Sequence, residues 1–276
     1  MKILLTGASS YVGARLYFDL LKSFDVIGTY HGNRLSPKFI PLDIISPREI
    51  TQTISSQKPD IILHVAADAN PRTCAANPEA AIALNQTSTK YIVIQANAIG
   101  AKMIFLSSFA AINPTDVYGN TKMQSETYVK TTKAGWFILR PSLIIGFSPN
   151  TINDRPFNRI LKNIDTKTEA IYDTSWKFQP TYIGHLSEVI EEVIRKNIWN
   201  KIIPIVTPDL KSRFDIANDI LKPFNISVTP VDKHDTMRTI TDDLSTLKSL
   251  RLPIYSYETM IEKIIDEIRR RETFSL

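Results

Sequence analysis

The sequence has little cysteine and no long apolar run, and each absence excludes a class of protein. Among its 276 residues there is one cysteine, Cys74, so no intrachain disulfide can form. This composition fits a reducing compartment, and we therefore expect a cytoplasmic protein. No run of 18 or more apolar residues occurs, so we expect no membrane span. The segment Met1–Gly7 lacks the small-residue cleavage site of a signal peptide.

Charge of one sign is not concentrated anywhere along the chain. The formal net charge is +5, but the basic residues are spread out. The densest run, 269–271, is three arginines that end a helical pattern, where cations suit the helix dipole. No aromatic or zinc motif accompanies this run, so we expect no nucleic-acid partner. The histidines and carboxylates show no ligand spacing, so we expect no metal site.

What the sequence does have is an alternation of strand and helix patterns. Short apolar runs predict strands at 2–6, 25–29, 61–65, 102–106 and 136–139. Helical patterns lie between them at 11–22, 46–57, 78–98 and 118–133. This alternation predicts an α/β fold with a Rossmann-like doubly wound parallel sheet, which binds ligands beyond the carboxyl ends of its strands.

The pattern loosens from about Pro141 onward, where prolines and turn residues become frequent. Helices are predicted in this half at 185–196, 212–222 and 256–270. We therefore expect a dinucleotide-binding domain over 1–140 and a substrate-binding lobe over 141–276. The lobe is expected to be smaller and mixed α/β, and some of its segments are expected to return to the first domain.

A glycine turn, Thr6–Gly13, joins the first predicted strand to the first predicted helix. The pyrophosphate of a dinucleotide needs close backbone approach and free N–H groups at a helix N-terminus. Gly7 permits the tight turn, and Gly13 permits close packing of the helix on the strand. Ser9 and Ser10 stand between them, and Ser10 carries a hydroxyl that can bind phosphate where the usual motif has a glycine. The segment predicts a dinucleotide site, with an ordinary glycine turn as the alternative.

The end of the second predicted strand bears on the choice between NADP(H) and NAD(H). NAD sites usually place an acid there, which holds the 2′-hydroxyl of the ribose. This chain has Tyr30, His31 and Arg34 in that region and no carboxylate. Arg34, with His31, can meet a 2′-phosphate instead, so Tyr30 and Arg34 are candidate cofactor contacts. The sequence favours NADP(H), while NAD(H) and a solvated Arg34 stay open.

Tyr118 and Lys122 form the most specific pair in the sequence. Spaced i and i+4, they share one face of a predicted helix. An ammonium beside a phenol favours the phenolate, so we expect the tyrosine pKa to move from about 10 toward working pH. Lys122 can also hold the nicotinamide ribose, and Tyr118 can give a proton to the alkoxide formed as hydride arrives. An exposed tyrosine beside a solvated lysine is the alternative.

Two serines, Ser107 and Ser108, follow the fourth predicted strand. A hydroxyl at this place can donate a hydrogen bond to the substrate carbonyl and polarise it. We favour Ser108 for this role, with capping of backbone groups at the strand end as the alternative.

Together these motifs resemble the extended short-chain dehydrogenase/reductase family, and within it the dTDP-4-dehydrorhamnose reductase subgroup. The resemblance covers nearly the whole chain, in the segments Leu4–Ala8, Leu42–Ile44, His64–Ala67, Asn85, Ser107–Ser108, Tyr118–Lys122, Leu139–Pro141, Gln179–Tyr182, Ser212–Phe214 and Leu244–Lys248. It implies an NADP-dependent oxidoreductase that reduces a nucleotide-linked 4-keto sugar. A homodimer is a further expectation from the family.

The resemblance also implies roles for individual residues. Ser108, Tyr118 and Lys122 would be the catalytic residues. The residues that the family would place against the cofactor are Ser10, Tyr11 and Val12 at the pyrophosphate, Asp43 and Ile44 at the adenine, and Ala66 and Ala67 beneath it.

Two departures from the family pattern leave the activity open. Ser108 and Tyr118 are ten positions apart, where relatives usually have a longer loop that contacts substrate. Asp68–Thr73 follows the third strand and changes a wall of the pocket. The pair 109–110, Phe-Ala, replaces the Asp-Glu pair of 4,6-dehydratases, which disfavours a dehydratase. An NAD-dependent nucleotide-sugar epimerase and a non-catalytic NADP-binding regulatory subunit stay as alternatives to the reductase.

Overall fold

Seven parallel strands form the main sheet of the computed structural model, which describes residues 1–276. The strands in chain order are β1 (Lys2–Thr6), β2 (Asp25–Tyr30), β3 (Ile40–Pro41), β4 (Ile61–His64), β5 (Lys102–Leu106), β6 (Trp136–Pro141), β7 (Ile144–Ile145), β8 (Ala170–Asp173), β9 (Lys177–Phe178), β10 (Thr181–Tyr182), β11 (Lys201–Ile205), β12 (Lys211–Ser212) and β13 (Val228–Val231). The main sheet has the order β11-β6-β5-β4-β1-β2-β3. The predicted doubly wound sheet is confirmed, and its order reverses between β1 and β4, where such sheets bind ligands.

Helices flank both faces of this sheet and fill the C-terminal half. They are α1 (Tyr11–Leu20), α2 (Pro47–Gln57), α3 (Pro71–Ala76), α4 (Pro78–Ala81), α5 (Ser88–Ile99), α6 (Val117–Val129), α7 (Pro156–Thr166), α8 (Ile183–Arg195), α9 (Arg213–Leu221), α10 (Ser245–Ser249) and α11 (Tyr257–Arg269). The start of α2 is as predicted, because Ser46 Oγ accepts a hydrogen bond from the Glu49 N–H at 3.3 Å and Pro47 is the first helical residue. None of these helices has the length and the apolar character that a bilayer crossing demands.

The prediction of one continuous α-helix over 78–98 is wrong. The segment predicted as one helix over 78–98 is divided into α4, a π-helix over Ile82–Thr87, and α5. Asn77 begins the segment by accepting a hydrogen bond from the Ala80 N–H at 3.2 Å. The wider π-turn accommodates an extra residue, and π-turns are frequent at functional sites. Asn85 lies within it and is buried.

The strands of the main sheet are apolar on both faces. Ile3 and Leu5 of β1 belong to the apolar layer formed with α1 and α8. Leu4, between them, belongs to the opposite layer formed with α2 and α5. Since helices cover both faces, each strand is a continuous apolar run rather than an alternating one, and the polar residues that follow it lie at the carboxyl edge of the sheet.

Segments after Pro141 extend the sheet and also build a second apolar core. β11 pairs with β6, with Ile203 opposite Leu139, although the sequence pattern did not predict this strand. Pro204 interrupts the strand pattern and is accommodated because β11 is an edge strand. A separate core lies among α7, α9 and α11 and the paired strands β8 and β13. The division of the chain at 140 and 141 stays a prediction.

Candidate active site

A cleft at the carboxyl edge of the main sheet brings together motifs that are more than 100 residues apart. Its volume is about 170 Å³. The lining residues are Ser10, Tyr11, Val12, Val65, Ala67, Ala69, Leu106, Ser107, Ser108, Tyr118, Lys122, Pro141, Ser142, Leu143, Ile144, Arg155 and Pro156. The glycine turn and the tyrosine–lysine pair therefore face one cavity, which neither motif could show alone.

The glycine turn has the geometry of an anion site. Gly7 has a φ of +71°, and a Cβ there would lie 2.9 Å from Ala66 Cα. A Cβ on Gly13 would lie 2.1 Å from the Gly7 carbonyl oxygen, so only glycine lets α1 pack this close to β1. Ser10 Oγ accepts a hydrogen bond from the Gly13 N–H at 3.0 Å, which leaves its own proton to donate. The N–H groups of Tyr11 and Val12, in the first turn of α1, have no acceptor within the helix.

Two side chains beside this turn are engaged by the protein itself. Ser9 Oγ accepts a hydrogen bond from the Leu35 N–H at 3.2 Å. The Tyr11 hydroxyl donates to the Gly146 carbonyl oxygen, and burial raises its pKa above the ordinary tyrosine value. The Tyr11 ring thus fastens α1 to the segment after β7, and what Tyr11 offers a ligand is its backbone N–H.

The predicted adenine-side residues lie at the ends of β2 and β3. The Arg34 guanidinium stands 5.7 Å from the Tyr30 ring centroid and donates to the carbonyl oxygens of Ser36 and Pro37. It is exposed, and its contacts order the loop after β2.

The segment after β3 carries the other two residues of this group. Asp43 Oδ1 accepts a hydrogen bond from the Ile45 N–H at 2.9 Å. Ile44 is buried in the apolar layer beneath α2, so its side chain faces the core. The roles of Arg34, Asp43 and Ile44 at the cofactor stay predictions.

Lys122 lines the cleft and is almost fully buried. Its side chain is 3% exposed, and Nζ donates to the Leu106 carbonyl oxygen at 2.8 Å. Nζ also stands 4.7 Å from the centroid of the Phe105 ring. Burial lowers the pKa of Lys122 to about 8, although the Glu126 carboxylate acts in the opposite direction. The alternative of a solvated lysine is therefore wrong.

The expected lowering of the Tyr118 pKa is wrong. Burial of the phenol raises the pKa to about 12, and a hydrogen bond with Ser108 opposes this rise. The physical reason is desolvation, which disfavours the phenolate, while the Lys122 ammonium is engaged by Leu106. Tyr118 consequently holds its proton at neutral pH, which is the state that a proton donor needs.

The structure separates the two serines after β5. Ser107 Oγ donates to Glu126 Oε1 at 2.6 Å, and Arg140 Nε donates to the same oxygen at 2.8 Å. Glu126 is buried, so Ser107 belongs to a buried polar cluster. Ser108 Oγ accepts from the Ala110 N–H at 3.1 Å, as in the capping alternative, and it also interacts with Tyr118. Ser108 is thus the serine beside the phenol.

Asn85 holds two walls of the site together, a role that the sequence did not reveal. Its Oδ1 accepts from the Asp68 N–H at 2.8 Å, and its Nδ2 donates to the Asp68 carbonyl oxygen at 2.9 Å. Nδ2 also donates to Thr121 Oγ1 at 3.1 Å. Asn85 thereby joins the loop after β4 to the helix that carries Tyr118 and Lys122. The only signal for it in the sequence was its place in the family resemblance.

The shortened loop between Ser108 and Tyr118 is tightly packed. It forms a 3₁₀ turn over Phe109–Ala111, and a Cβ on Gly119 would lie 2.4 Å from the Ala110 carbonyl oxygen. Arg238, from the C-terminal half, donates to the carbonyl oxygens of Ile112 and Asn113, both at 3.2 Å. The C-terminal half therefore braces this loop.

His64 is a structural residue at the end of β4. Its Nδ1 lies 2.7 Å from Thr6 Oγ1 and its Nε2 lies 3.0 Å from Thr89 Oγ1. Burial and the nearby Lys122 lower its pKa to about 3, so it is neutral at physiological pH. Nowhere do three or more metal-ligating side chains of the His, Cys, Asp or Glu type come together.

Solved structures share this fold at low sequence identity. The dTDP-4-dehydrorhamnose reductase of Bacillus anthracis, in complex with NADP, superposes with a TM-score of 0.81 at 20% identity, covering 96% of this chain and 98% of that chain. The UDP-glucose 4-epimerase of Thermotoga maritima, with UDP-glucose, superposes with a TM-score of 0.80 at 16% identity, covering 99% of this chain and 100% of that one. At these identities the likeness shows the fold.

Comparison of the sequence gives a relative and a family. Methionine adenosyltransferase 2 subunit beta of Xenopus tropicalis is 23% identical over 217 residues, which are 73% of this chain and 64% of that protein. The chain thus spans about two thirds of the length of that relative. The model of the family described as RmlD substrate binding domain matches residues 1–245. Because this match covers most of the chain, the protein belongs to the RmlD substrate binding domain family.

Proposed function

We propose that the protein is an oxidoreductase that uses NAD(P)H to reduce a 4-keto sugar carried on a nucleotide, as dTDP-4-dehydrorhamnose reductases do. The observation that carries the proposal is the shared cleft, in which the glycine turn before α1 lies with Ser108, Tyr118 and Lys122. An anion site and a protonated phenol in one cavity suit a reduction that ends in proton transfer. The family to which the chain belongs supports the same activity.

The residues of the glycine turn fit a dinucleotide. Added Cβ atoms on Gly7 or Gly13 would collide with backbone atoms. Without side chains at these two positions, the backbone of the turn is open to a ligand in the cleft. Ser10 and the N–H groups of Tyr11 and Val12 would hold the pyrophosphate, and Ala66 and Ala67 would lie beneath the cofactor. The cofactor supplies a hydride when bound. We propose NADP(H), with Arg34 near the 2′-phosphate, and NAD(H) as the alternative.

Proton transfer is the part of the reaction that falls to the chain itself. The Ser108 hydroxyl would donate a hydrogen bond to the ketone oxygen of the substrate and polarise it. As the carbonyl carbon accepts hydride, the Tyr118 hydroxyl gives its proton to the oxygen, which becomes the new sugar hydroxyl. The Lys122 ammonium stabilises the phenolate that remains, and water restores its proton. The raised pKa of Tyr118 keeps the phenol protonated at neutral pH, which is the state that the reductive direction requires.

The reductase is tested by mixing the protein, NADPH and dTDP-4-keto-6-deoxy-mannose and following the loss of nicotinamide absorbance. Replacing Tyr118 by phenylalanine removes the proton donor and is expected to lower kcat by roughly 10²- to 10⁴-fold. Tyr91→Phe is the matched control, because Tyr91 lies on α5, is exposed and does not line the cleft. A Tyr118→Phe variant with the full rate would contradict the mechanism.

A second function, that of a non-catalytic NADP-binding subunit of another enzyme, is favoured by the shortened loop that Arg238 braces. The similarity to a protein named as a subunit of methionine adenosyltransferase 2 points the same way. Stoichiometric co-purification of a partner, with no turnover of any nucleotide-linked keto sugar, would support it. An epimerase would instead release NAD from the purified protein on denaturation.

The homodimer and the cytoplasmic location expected from the sequence stay part of this proposal. Light scattering measures the first, and cell fractionation measures the second. Neither is needed for the chemistry of the cleft, since every group invoked above comes from one chain.

A further inference from the structure

The cleft carries positive charge and no carboxylate. Among its lining residues two are cationic, Lys122 and Arg155, and none is acidic. Charge of one sign in a concave site attracts ligands of the opposite sign. The reactive part of the cleft is therefore built for a ligand that brings negative charge.

The two cations differ in what they already contact. Lys122 is almost fully buried and donates to the Leu106 carbonyl oxygen. Arg155 is half-buried, and its guanidinium makes no ion pair and no hydrogen bond within the chain. The neighbouring carboxylate of Asp154 is engaged by Arg159, through hydrogen bonds of 2.6 and 2.7 Å. Arg155 is thus a cation at the cleft wall with its donors still available.

The cleft could receive two anions, the pyrophosphate of the cofactor and the phosphate of the substrate. The position of Arg155 distinguishes between them. It belongs to the segment after Pro141 and immediately precedes α7, on the side of the cleft formed by the C-terminal half. It lines the cleft together with Ser108 and Tyr118, and its charge lowers the pKa of both Tyr118 and Tyr11. The cofactor pyrophosphate has its own donors at the first turn of α1. The anion left for Arg155 is therefore one carried by the substrate.

We propose that Arg155 binds the phosphate of the nucleotide-linked substrate and thereby makes the enzyme selective for charged substrates. This inference rests on the proposed function, because it assigns a substrate group to the same cleft. A guanidinium presents parallel N–H donors that match two phosphate oxygens. Arg155 would act as a specificity-determining residue by holding the nucleotide while the sugar reaches Ser108 and Tyr118.

The test is calorimetric titration of the full chain with dTDP or UDP, and with the uncharged nucleosides thymidine and uridine. Arg155→Gln is expected to weaken diphosphate binding by roughly 10-fold or more, which is typical of a lost hydrogen bond to a charged group. Nucleoside and NADPH affinities should not change. Arg155→Lys should restore part of the loss. Arg269→Gln is the matched control, because Arg269 is exposed at the end of α11 and does not line the cleft.

Failure of this inference is distinguishable from failure of the proposed function. Equal affinity of the wild type and Arg155→Gln for both diphosphates would overturn the role of Arg155, as would a wild type that binds neither. A loss of NADPH affinity in place of diphosphate affinity would also overturn it, because Arg155 would then serve the cofactor. Binding of dTDP through Arg155 without any turnover would uphold the inference while refuting the reductase.

Discussion

Replacing Lys122 by arginine tests whether its charge sets the pH dependence of the reaction. Burial lowers the pKa of Lys122 to about 8, so its ammonium is charged below that pH and neutral above it. In the proposed mechanism this positive charge would stabilise the phenolate that Tyr118 becomes as it gives up its proton. We therefore expect kcat/KM of the wild type to fall as pH rises through about 8.

The size of the effect follows from the titration of a single group. With a pKa of about 8, Lys122 is roughly 90% charged at pH 7 and roughly 10% charged at pH 9, so kcat/KM should fall about ninefold between pH 7 and pH 9 and about tenfold per pH unit above pH 9. Deprotonation of Tyr118 does not interfere, because burial raises its pKa to about 12. In Lys122→Arg the guanidinium stays charged throughout, so the fall near pH 8 should disappear.

The assay follows nicotinamide absorbance between pH 7 and pH 10 at limiting NADPH, since kcat/KM reports the ionisations of the free enzyme. Lys122→Arg is expected to be slower than the wild type at pH 7, because the larger fork must fit between the Leu106 carbonyl and the Phe105 ring. Lys122→Met should have a low kcat/KM at every pH, and its kcat/KM should show no fall near pH 8. If kcat/KM of Lys122→Arg still falls as pH rises through about 8, the reasoning is refuted, because another group must then be titrating.

Two further predictions concern the different roles of Ser107 and Ser108, and the buried ion pair between α1 and α11. Ser108→Ala should lower kcat by at least roughly 10-fold and cost about 0.5–2 kcal/mol of stability, because the hydrogen bond from the Ala110 N–H is lost. Ser107→Ala should leave kcat near wild type and cost about 1–3 kcal/mol in urea unfolding, because it strips a hydrogen bond from buried Glu126. The reverse pattern in kcat would contradict the assignment. Arg15 of α1 and Glu267 of α11 form a buried ion pair, with 2.6 Å between the guanidinium and the carboxylate. Arg15→Met should destabilise the fold by about 3–5 kcal/mol and lower Tm by roughly 5–10 °C in a circular-dichroism melt, because it leaves the Glu267 carboxylate buried without its cation. A Tm unchanged within about 1 °C would contradict it.

Local patterns predicted the parts of the fold that depend on near neighbours in the chain. The start of α2 followed from Ser46 and Pro47, whose capping chemistry acts within one turn. The tight turn at Gly7 and the close packing at Gly13 followed from the room that a missing Cβ provides. Strand and helix order followed from apolar periodicity, because each element must bury one face or both.

Contacts between distant segments decided what the sequence could not. β11 belongs to the main sheet although it contains Pro204, because it lies at the edge, where proline is accommodated. Its edge position depends on which strands lie beside it in space. The π-turn at Asn85 serves hydrogen bonds to Asp68 and Thr121, which are 17 and 36 positions away. Nothing in an irregular loop marked Arg155 as a residue of the cleft.

The sequence by itself determined which chemical groups are available, a phenol and an amine one helical turn apart near a glycine turn. Only the tertiary structure decided the state of those groups. The sequence predicted a lowered Tyr118 pKa, but burial raises it, because removing water from a phenol disfavours the phenolate, and the Lys122 amine is engaged by the Leu106 carbonyl. Spacing fixes which side chains can be neighbours, whereas solvation depends on every segment that folds over them.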